Sequence, residues 1–514
     1  MPEPTPTRSP SRPGRRPFAN RLPCRGPSVP SLAASLLVAT LVCLQAAGAD
    51  RDPARSGNTA RPNILFLFAD DQCFQTIHAL NNDEVQTPNL DWLVRNGTTF
   101  THAYNMGSWS GAVCVASRTM LNTGRMLWRA QRVYKTAEKE RAAGRFWSEI
   151  LRKAGYETYF TGKWHVPANA KKAFDHAEHI RGGMPRQTPQ GYNRPIEGQP
   201  DPWSPYDPKF GGFWEGGKHW SEVVRDDTLA FLEHTRTHDR PFFMYIAFNA
   251  VHDPRQSPRE YVQRYPWQQI RLPSNFLPQY PFAEAIGCGP TLRDERLAPF
   301  PRTPYAVKVH RSEYYAILTH MDAQIGRILD ALRASPRYGN TYIVFTADHG
   351  LAVGQHGLFG KQNMHEHSVR VPLMIVGPDV PRNRRIDGPV YLQDVMPTTL
   401  QWAGIEPPEH VEFRSLVPLI RGRRNRNYDL VYGAYLGLQR MIIDGDYKLI
   451  VYPKVPRVRL FDLKHDPDEM RDLAQDPAYK SVVKRLFREL LKLQQEMDDT
   501  LDLTTAFPHL AAAS

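Results

Sequence analysis

The chain has little sulfur chemistry to spend: five cysteines in 514 residues. Two of them, Cys24 and Cys43, lie in the first fifty residues, leaving Cys73, Cys114 and Cys288, enough for one bridge at most. An exported protein with this count either pairs two thiols or keeps them free, and a Cys73–Cys288 bridge stays open at this level. No long uncharged apolar run occurs beyond Leu44, so the sequence offers no stable membrane insertion. There is no dense Lys/Arg block and no RNA or DNA motif, which argues against a nucleic-acid partner despite a formal charge of +12. There is no internal repeat, heptad array or low-complexity tract beyond the first residues, which excludes solenoids and coiled coils. Apolar residues make up 41% and aromatics 11%, ordinary for a globular chain able to bury a large core.

Part of the positive charge is local. Residues 1–49 hold Arg8, Arg12, Arg15, Arg16, Arg21 and Arg25 against one acid, Glu3. An apolar run from Leu32 to Leu44 comes next, and then Ala47-Gly48-Ala49. Basic region, short apolar region and small-x-small triplet read as a secretory signal over 1–49 with cleavage after Ala49, and Arg15-Arg16 is a weak twin-Arg pair. The protein is therefore expected outside the cytoplasm, periplasmic or extracellular, after a linker at 50–60. What remains is a mildly basic body, which favours anionic substrates through steering.

Uninterrupted apolar runs mark buried strands: Asn63–Ala69, Pro241–Phe248, Thr341–Phe345 and Val371–Val376. Helical stretches are expected between them at Phe146–Ala154, Asp226–His234 and Tyr314–Leu332, the last with Ile317, Met321, Ile325 and Ile328 on one face. This alternation predicts an α/β fold, a mostly parallel central sheet flanked by helices, spanning 61–403. Gly-, Pro- and Asn-rich segments from Pro167 to Trp220 and from Pro254 to Pro304 read as long loops around a pocket. After Gly404 the pattern changes. Met441–Ile443, Asp444-Gly445 and Tyr447–Tyr452 predict a hairpin, and Val482, Leu486, Leu490, Leu493 and Met497 a closing helix, giving a smaller C-terminal α+β subdomain over 404–514.

Asp70 and Asp71 come directly after the first buried strand, and Asp348-His349 come after the Thr341–Phe345 strand in the same relation. Ligands of parallel α/β sheets bind at the carboxyl ends of strands, and clustered carboxylates there suit a hard divalent cation, Ca²⁺ ahead of Mg²⁺ or Mn²⁺. Alone, an Asp-Asp pair is more often a turn than a metal site. The strongest signal is Cys114-Val115-Ala116-Ser117-Arg118, with Thr123-Gly124-Arg125 beginning after four further residues.

With this pattern, C-x-(P/A)-S-R-x-x-x-x-T-G-R, the chain resembles the formylglycine-dependent (type I) sulfatase family of the alkaline phosphatase superfamily. The likeness extends from Asn63 through the Asp70-Asp71 pair to Leu460–Glu469. It implies that a maturation enzyme oxidises Cys114 to formylglycine. Ala116 stands where proline is commoner, which leaves the type of maturation system open. The resemblance further implies that Gly162-Lys163-Trp164-His165 brings Lys163 and His165 to the sulfate, that His252 faces the leaving-group oxygen, and that Lys361 is the second active-site lysine. Asp70, Asp71, Cys114, Asp348 and His349 would hold the cation, with His349 standing where many relatives have Asn. Arg118 would orient residue 114 and the partner hydroxyl, and His165 would take a proton when the sulfated residue regenerates its aldehyde.

The implied activity is hydrolysis of sulfate esters, on a sulfated small molecule or more specifically a sulfated carbohydrate. A phosphonate or phosphate ester hydrolase of the same superfamily, and an inactive sulfated-glycan-binding protein, are the alternatives. His365-Glu366-His367 has the residue types of metal ligands but is read in preference as a substrate-facing or supporting element near a variable rim, Arg370 as support for the strand at Val371, and Gln72 and Cys73 as without a chemical role.

Overall fold

The computed structural model describes residues 61–512. The expected signal peptide, its cleavage site and the linker lie outside them. Eight strands form the main sheet: β1 (Asn63–Ala69), β2 (Thr98–Phe100), β3 (Glu157–Lys163), β4 (His176–Arg181), β5 (Phe242–Ala247), β6 (Thr341–Ala347), β7 (Leu373–Val376) and β8 (Arg384–Ile386), in spatial order β8-β2-β7-β6-β1-β5-β3-β4. β1 runs parallel to β5 (Leu65 opposite Met244) and to β6 (Leu65 opposite Ile343), and every residue of it is buried. Helices cover both faces, so a central strand must be apolar on both sides, which is why these runs show no alternation.

The sheet is mostly parallel, as expected, but the Val371–Val376 run departs from the pattern. β7 is antiparallel to β6, with Met374 opposite Phe345, and Pro372 separates it from a short strand at Arg370–Val371. Periodicity reports burial and carries no strand direction. β3 and β4 escaped the sequence reading because ETYFTGK and HAEHIR mix polar with apolar residues. β3 is nonetheless buried throughout, since β5 and β4 flank it. β4 also occupies part of the stretch read as loop from Pro167 to Trp220.

Four of the longer helices are α1 (Val113–Thr123), α2 (Trp220–His234), α3 (Pro304–Arg333) and α4 (Lys480–Glu496). α3 begins ten residues before the expected Tyr314. Thr303 caps it by accepting from the Ala306 amide at 3.1 Å, with proline at the first helical position. Its first turns look polar because His310 and Glu313 are buried against Arg194: Glu313 receives two guanidinium bonds, at 2.7 and 2.8 Å, and His310 Nε2 donates to the Arg194 carbonyl at 2.8 Å.

The C-terminal sheet contains β9 (Leu430–Tyr435), β10 (Gln439–Asp444), β11 (Tyr447–Tyr452) and β12 (Arg457–Asp462). The predicted hairpin is the β10–β11 pair, with Gly445 at φ 59° in its loop, a conformation glycine adopts without steric cost. α4 buries Leu486, Phe487, Leu490 and Leu493. The fifth strand of this sheet is Gly107–Ser108, from far upstream, pairing with β9. A Cβ on Gly107 would lie 2.0 Å from the Ala434 carbonyl oxygen, so only glycine allows this approach. The same upstream segment leads into α1 and ties the second sheet to the helix that carries Cys114.

Candidate active site

Four parallel-strand exits and one helix start converge. β1 ends into Asp70-Asp71, β6 into Asp348-His349, β3 in Lys163 before Trp164-His165, and β5 leads through a short loop to His252. α1 presents Cys114 in its first turn. Residues distant in sequence meet because parallel strands deliver all their carboxyl ends to one edge.

Arg118 is fully buried and organises the centre. Its Nε donates to Asp348 Oδ2 at 3.0 Å, one terminal nitrogen donates to the Lys163 carbonyl at 2.7 Å, and the other stands 3.8 Å from Asp70 Oδ1. Lys163 Nζ bonds Asp70 Oδ2. Lys361 Nζ donates to both Asp71 oxygens at 2.9 Å and lies 2.8 Å from His252 Nε2. His252 Nδ1 donates to the Asp253 carbonyl at 2.8 Å. His349 Nε2 is 3.2 Å from Asp71 Oδ1, while its Nδ1 donates to the Gly350 carbonyl at 2.9 Å. His165 takes φ 53°, and its ring packs on Gly183, where a Cβ would approach Cε1 to 3.2 Å. Cys114, Arg118, Lys163, His165, His252, Lys361, Asp70, Asp71, Asp348 and His349 therefore form one constellation.

The electrostatics arise from crowding. Burial and the Asp348 carboxylate push Asp70 up to about 7 against the pull of Lys163. Burial disfavours charge on Asp348 too, but His349, Arg118 and Lys163 hold it below the usual carboxylate range. Burial opposes a proton on His349, yet Asp348 and Asp71 raise it to about 9. Burial would raise the Cys114 thiol, but Lys163 and Lys361, with the imidazoles of His165 and His349 beside it, hold it well below its ordinary value.

The donor set fits a divalent cation. Asp70 Oδ1 and His349 Nε2 are buried without a hydrogen-bond partner. Ligating atoms from Asp70, Cys114, Asp348 and His349 all lie within 4.8 Å of one another. Asp71 adds a third carboxylate through its contact with His349. Such oxygen-rich sets suit hard cations.

Other sequence readings take different places. Cys73 and Cys288 are both free and buried, so they form no bridge: Cys73 Sγ donates to the Leu351 carbonyl at 2.9 Å and Cys288 Sγ to the Gln362 carbonyl at 3.2 Å. Gly124 ends α1 at φ 69° and Arg125 pairs with Glu140, so these two motif positions build the helix end and not the centre. His365 and His367 do not line an open rim. They are buried, with His365 between Glu469 (3.0 Å) and the Tyr280 hydroxyl (3.2 Å), and Glu366 pairs with Lys448 at 3.0 Å. Arg370 supports its strand as expected, donating to the Thr101 carbonyl at 2.6 Å.

Three supporting groups carried no sequence signal. Arg293 pairs with Asp253 behind His252. Asn105 Nδ2 donates to the Asp348 carbonyl at 2.6 Å. Glu295, fully buried, accepts from the amides of Phe359 (3.0 Å) and Gly360 (2.8 Å), directly before Lys361, and pairs with the buried Arg302. Arg293 and Asn105 sit outside regular elements and Glu295 in a four-residue 3-10 helix, Asp294–Leu297, too short to show a period. Replacing Arg302 by alanine leaves the Glu295 charge uncompensated, and denaturant unfolding should show a loss of about 3–5 kcal/mol; a loss below about 1 kcal/mol would contradict this coupling.

The family model described as Sulfatase matches residues 62–405, and one described as N-sulphoglucosamine sulphohydrolase, C-terminal, matches 354–496. An N-acetylglucosamine-6-O-sulfatase of Bacteroides thetaiotaomicron is 25% identical over 519 aligned positions, covering 86% of this chain and 88% of that protein. A solved structure in complex with its substrate D-glucosamine-2-N,6-O-disulfate aligns with a TM-score of 0.66 at 22% identity, covering 86% of this chain and 99% of the other. The phosphonate monoester hydrolase of Agrobacterium radiobacter shares the fold with a TM-score of 0.65 at 19% identity, covering 85% and 96%. With the family model spanning most of the chain, this protein belongs to the sulfatase family of the alkaline phosphatase superfamily and is a sulfuric ester hydrolase.

Proposed function

We propose that the chain hydrolyses sulfate esters of carbohydrates at the Cys114 centre, with the labour divided among the residues assembled there. The observation that carries this reading is the placement of Cys114 beside the buried carboxylates of Asp70 and Asp348, with the charges of Lys163 and Lys361 acting on its thiol. Oxidised to formylglycine by a maturation enzyme and hydrated, residue 114 supplies two hydroxyls on one carbon, one to attack sulfur and one to drive release. Asp70, Asp71, Asp348, His349 and residue 114 would hold a cation, Ca²⁺ in preference to Mg²⁺ or Mn²⁺, which would supply Lewis acidity and charge neutralisation at the sulfate.

The protein's own side chains supply the rest. Lys163 and Lys361 place fixed positive charge where the non-bridging and leaving oxygens gain negative charge. Arg118, locked by Asp348 and the Lys163 carbonyl, orients residue 114 and the carboxylates. The Asp253 carbonyl holds His252 Nδ1, so Nε2, adjacent to Lys361 Nζ, is aimed to protonate the departing alcohol. His165 serves as the base that takes the second hydroxyl's proton.

The substrate class rests on the carbohydrate sulfatase among the relatives, the sugar disulfate bound by a structural neighbour, and the C-terminal family match. Export through the 1–49 leader fits such polymers, and among the described residues no helix is long and apolar enough to cross a membrane. The phosphonate hydrolase reading draws on the shared fold. Matured enzyme assayed on an aryl sulfate, an aryl phosphonate and defined sulfated sugars should turn over the sulfates at least about tenfold faster, an advantage of about 1.4 kcal/mol. A preference for the phosphonate would reverse the assignment.

A further inference from the structure

A second cluster lies at the opposite end of the main sheet. The catalytic groups occupy the carboxyl ends of the parallel strands, whereas Glu157 is the first residue of β3 and His176 the first of β4. His234 closes α2, and His238 stands in the connection to β5. Three imidazoles and a carboxylate thus come from four separate segments.

Their geometry is that of a ligand set. One ligating atom each from Glu157, His176 and His234 lies within 4.8 Å of the other two. Glu157 Oε1 is 3.0 Å from His176 Nε2, and Glu157 Oε2 touches His238 Nε2. The rings of His176 and His234 have centroids 4.7 Å apart, and those of His234 and His238 5.6 Å. Tyr159 orients two of them: its ring stacks on His176 at 4.6 Å, and its hydroxyl lies 2.8 Å from His234 Nδ1. With Nδ1–H donating to that hydroxyl, the lone pair of His234 is on Nε2, the tautomer a metal takes.

An independent observation points to a missing ligand. Glu157 is only 6% exposed, yet its contact with His238 is not aligned as a hydrogen bond, which leaves Oε2 and both ring nitrogens of His238 without a hydrogen-bond partner. A buried carboxylate oxygen without a donor is costly unless a cation meets it. Arg240 approaches the other oxygen, Glu157 Oε1, only to 3.8 Å while donating to the Tyr156 carbonyl at 3.3 Å, so it does not meet Oε2.

We infer that Glu157, His176, His234 and His238 form a site for a divalent transition metal of the zinc class, distinct from the catalytic cation site. Nitrogen-rich sets with one carboxylate suit Zn²⁺ and disfavour Ca²⁺, the reverse of the catalytic donor set. Bound there, the ion would tie the end of α2 to the β3–β4 edge of the sheet.

The test is calorimetric titration of Zn²⁺ into the full-length matured protein at pH 7.5 in excess Ca²⁺, with Co²⁺ absorption as a spectroscopic readout. Wild type should bind one Zn²⁺ that Ca²⁺ does not displace, and Co²⁺ should show the intense visible bands of a tetrahedral site. His176→Ala/His234→Ala should weaken Zn²⁺ at least about a hundredfold and abolish the Co²⁺ bands while sulfate hydrolysis in Ca²⁺ is unchanged. His238→Ala, a loop change that leaves the helix and strand intact, should weaken binding about tenfold and keeps the test valid if the double variant does not fold. Asp348→Asn should retain the ion. Absence of Ca²⁺-resistant zinc in wild type, equal affinity in the histidine variants, or loss of the ion in Asp348→Asn alone would overturn the site.

Discussion

Replacing Cys114 by serine, in a host that modifies only cysteine, is expected to lower sulfate hydrolysis by about three to six orders of magnitude while leaving the fold intact. Serine carries one hydroxyl where the hydrated aldehyde carries two. A single hydroxyl can attack sulfur but has no partner whose proton His165 can remove to expel sulfate, so the enzyme stalls after at most one turnover. The magnitude is that of losing turnover outright, because the charges of Lys163, Lys361 and Arg118 still favour attack but the sulfated serine has no route to release. Two measurements check it: steady-state hydrolysis of an aryl sulfate, and mass spectrometry of the peptide containing residue 114. Near-normal turnover in the serine variant, or an unmodified thiol in fully active enzyme, would end the proposed mechanism.

Asp348→Asn should be nearly as damaging for a different reason. The substitution keeps the shape but removes the charge that pairs with Arg118 at 3.0 Å and adjoins His349. It should therefore weaken the proposed cation site and loosen Arg118, proposed above to orient residue 114. Losing about 4 kcal/mol of transition-state stabilisation corresponds to about a 10³-fold drop in kcat/KM. The same variant should lose the thermal stabilisation that Ca²⁺ confers. In wild type a cation at a hundredfold excess over its Kd adds about 2.7 kcal/mol, and chelation should remove it along with activity. Calcium-dependent melting curves of both proteins, with and without chelator, decide the matter. An Asp348→Asn protein that still gains full stability from Ca²⁺ would place the ion elsewhere.

The strand tips were legible because chemistry and periodicity coincide there. Asn63–Ala69 and Thr341–Ala347 are buried on both faces and end abruptly in carboxylates, a combination that core packing alone does not produce. The Cys114 motif was legible because its spacing is unusual. Lys163, His165, His252 and Lys361 were readable through family resemblance; their residue types alone carry no address. Arg293, Glu295 and Asn105, which hold His252, the Lys361 loop and Asp348 in place, were not readable, since they lie in loops or in a single short 3-10 turn where neither period nor motif applies.

By itself, then, the sequence determined which segments must be buried, where apolar strands give way to acid, and which cysteine is set apart by its neighbours. Those are local properties, written in the order of residues along the chain. Only the tertiary structure decided the direction of Leu373–Val376, the burial of polar β3, the solitary state of Cys73 and Cys288, and the inward placement of His365 and His367. Each of these depends on which distant segment packs alongside, and hydrogen bonding, charge pairing and burial between remote residues leave no trace in local spacing.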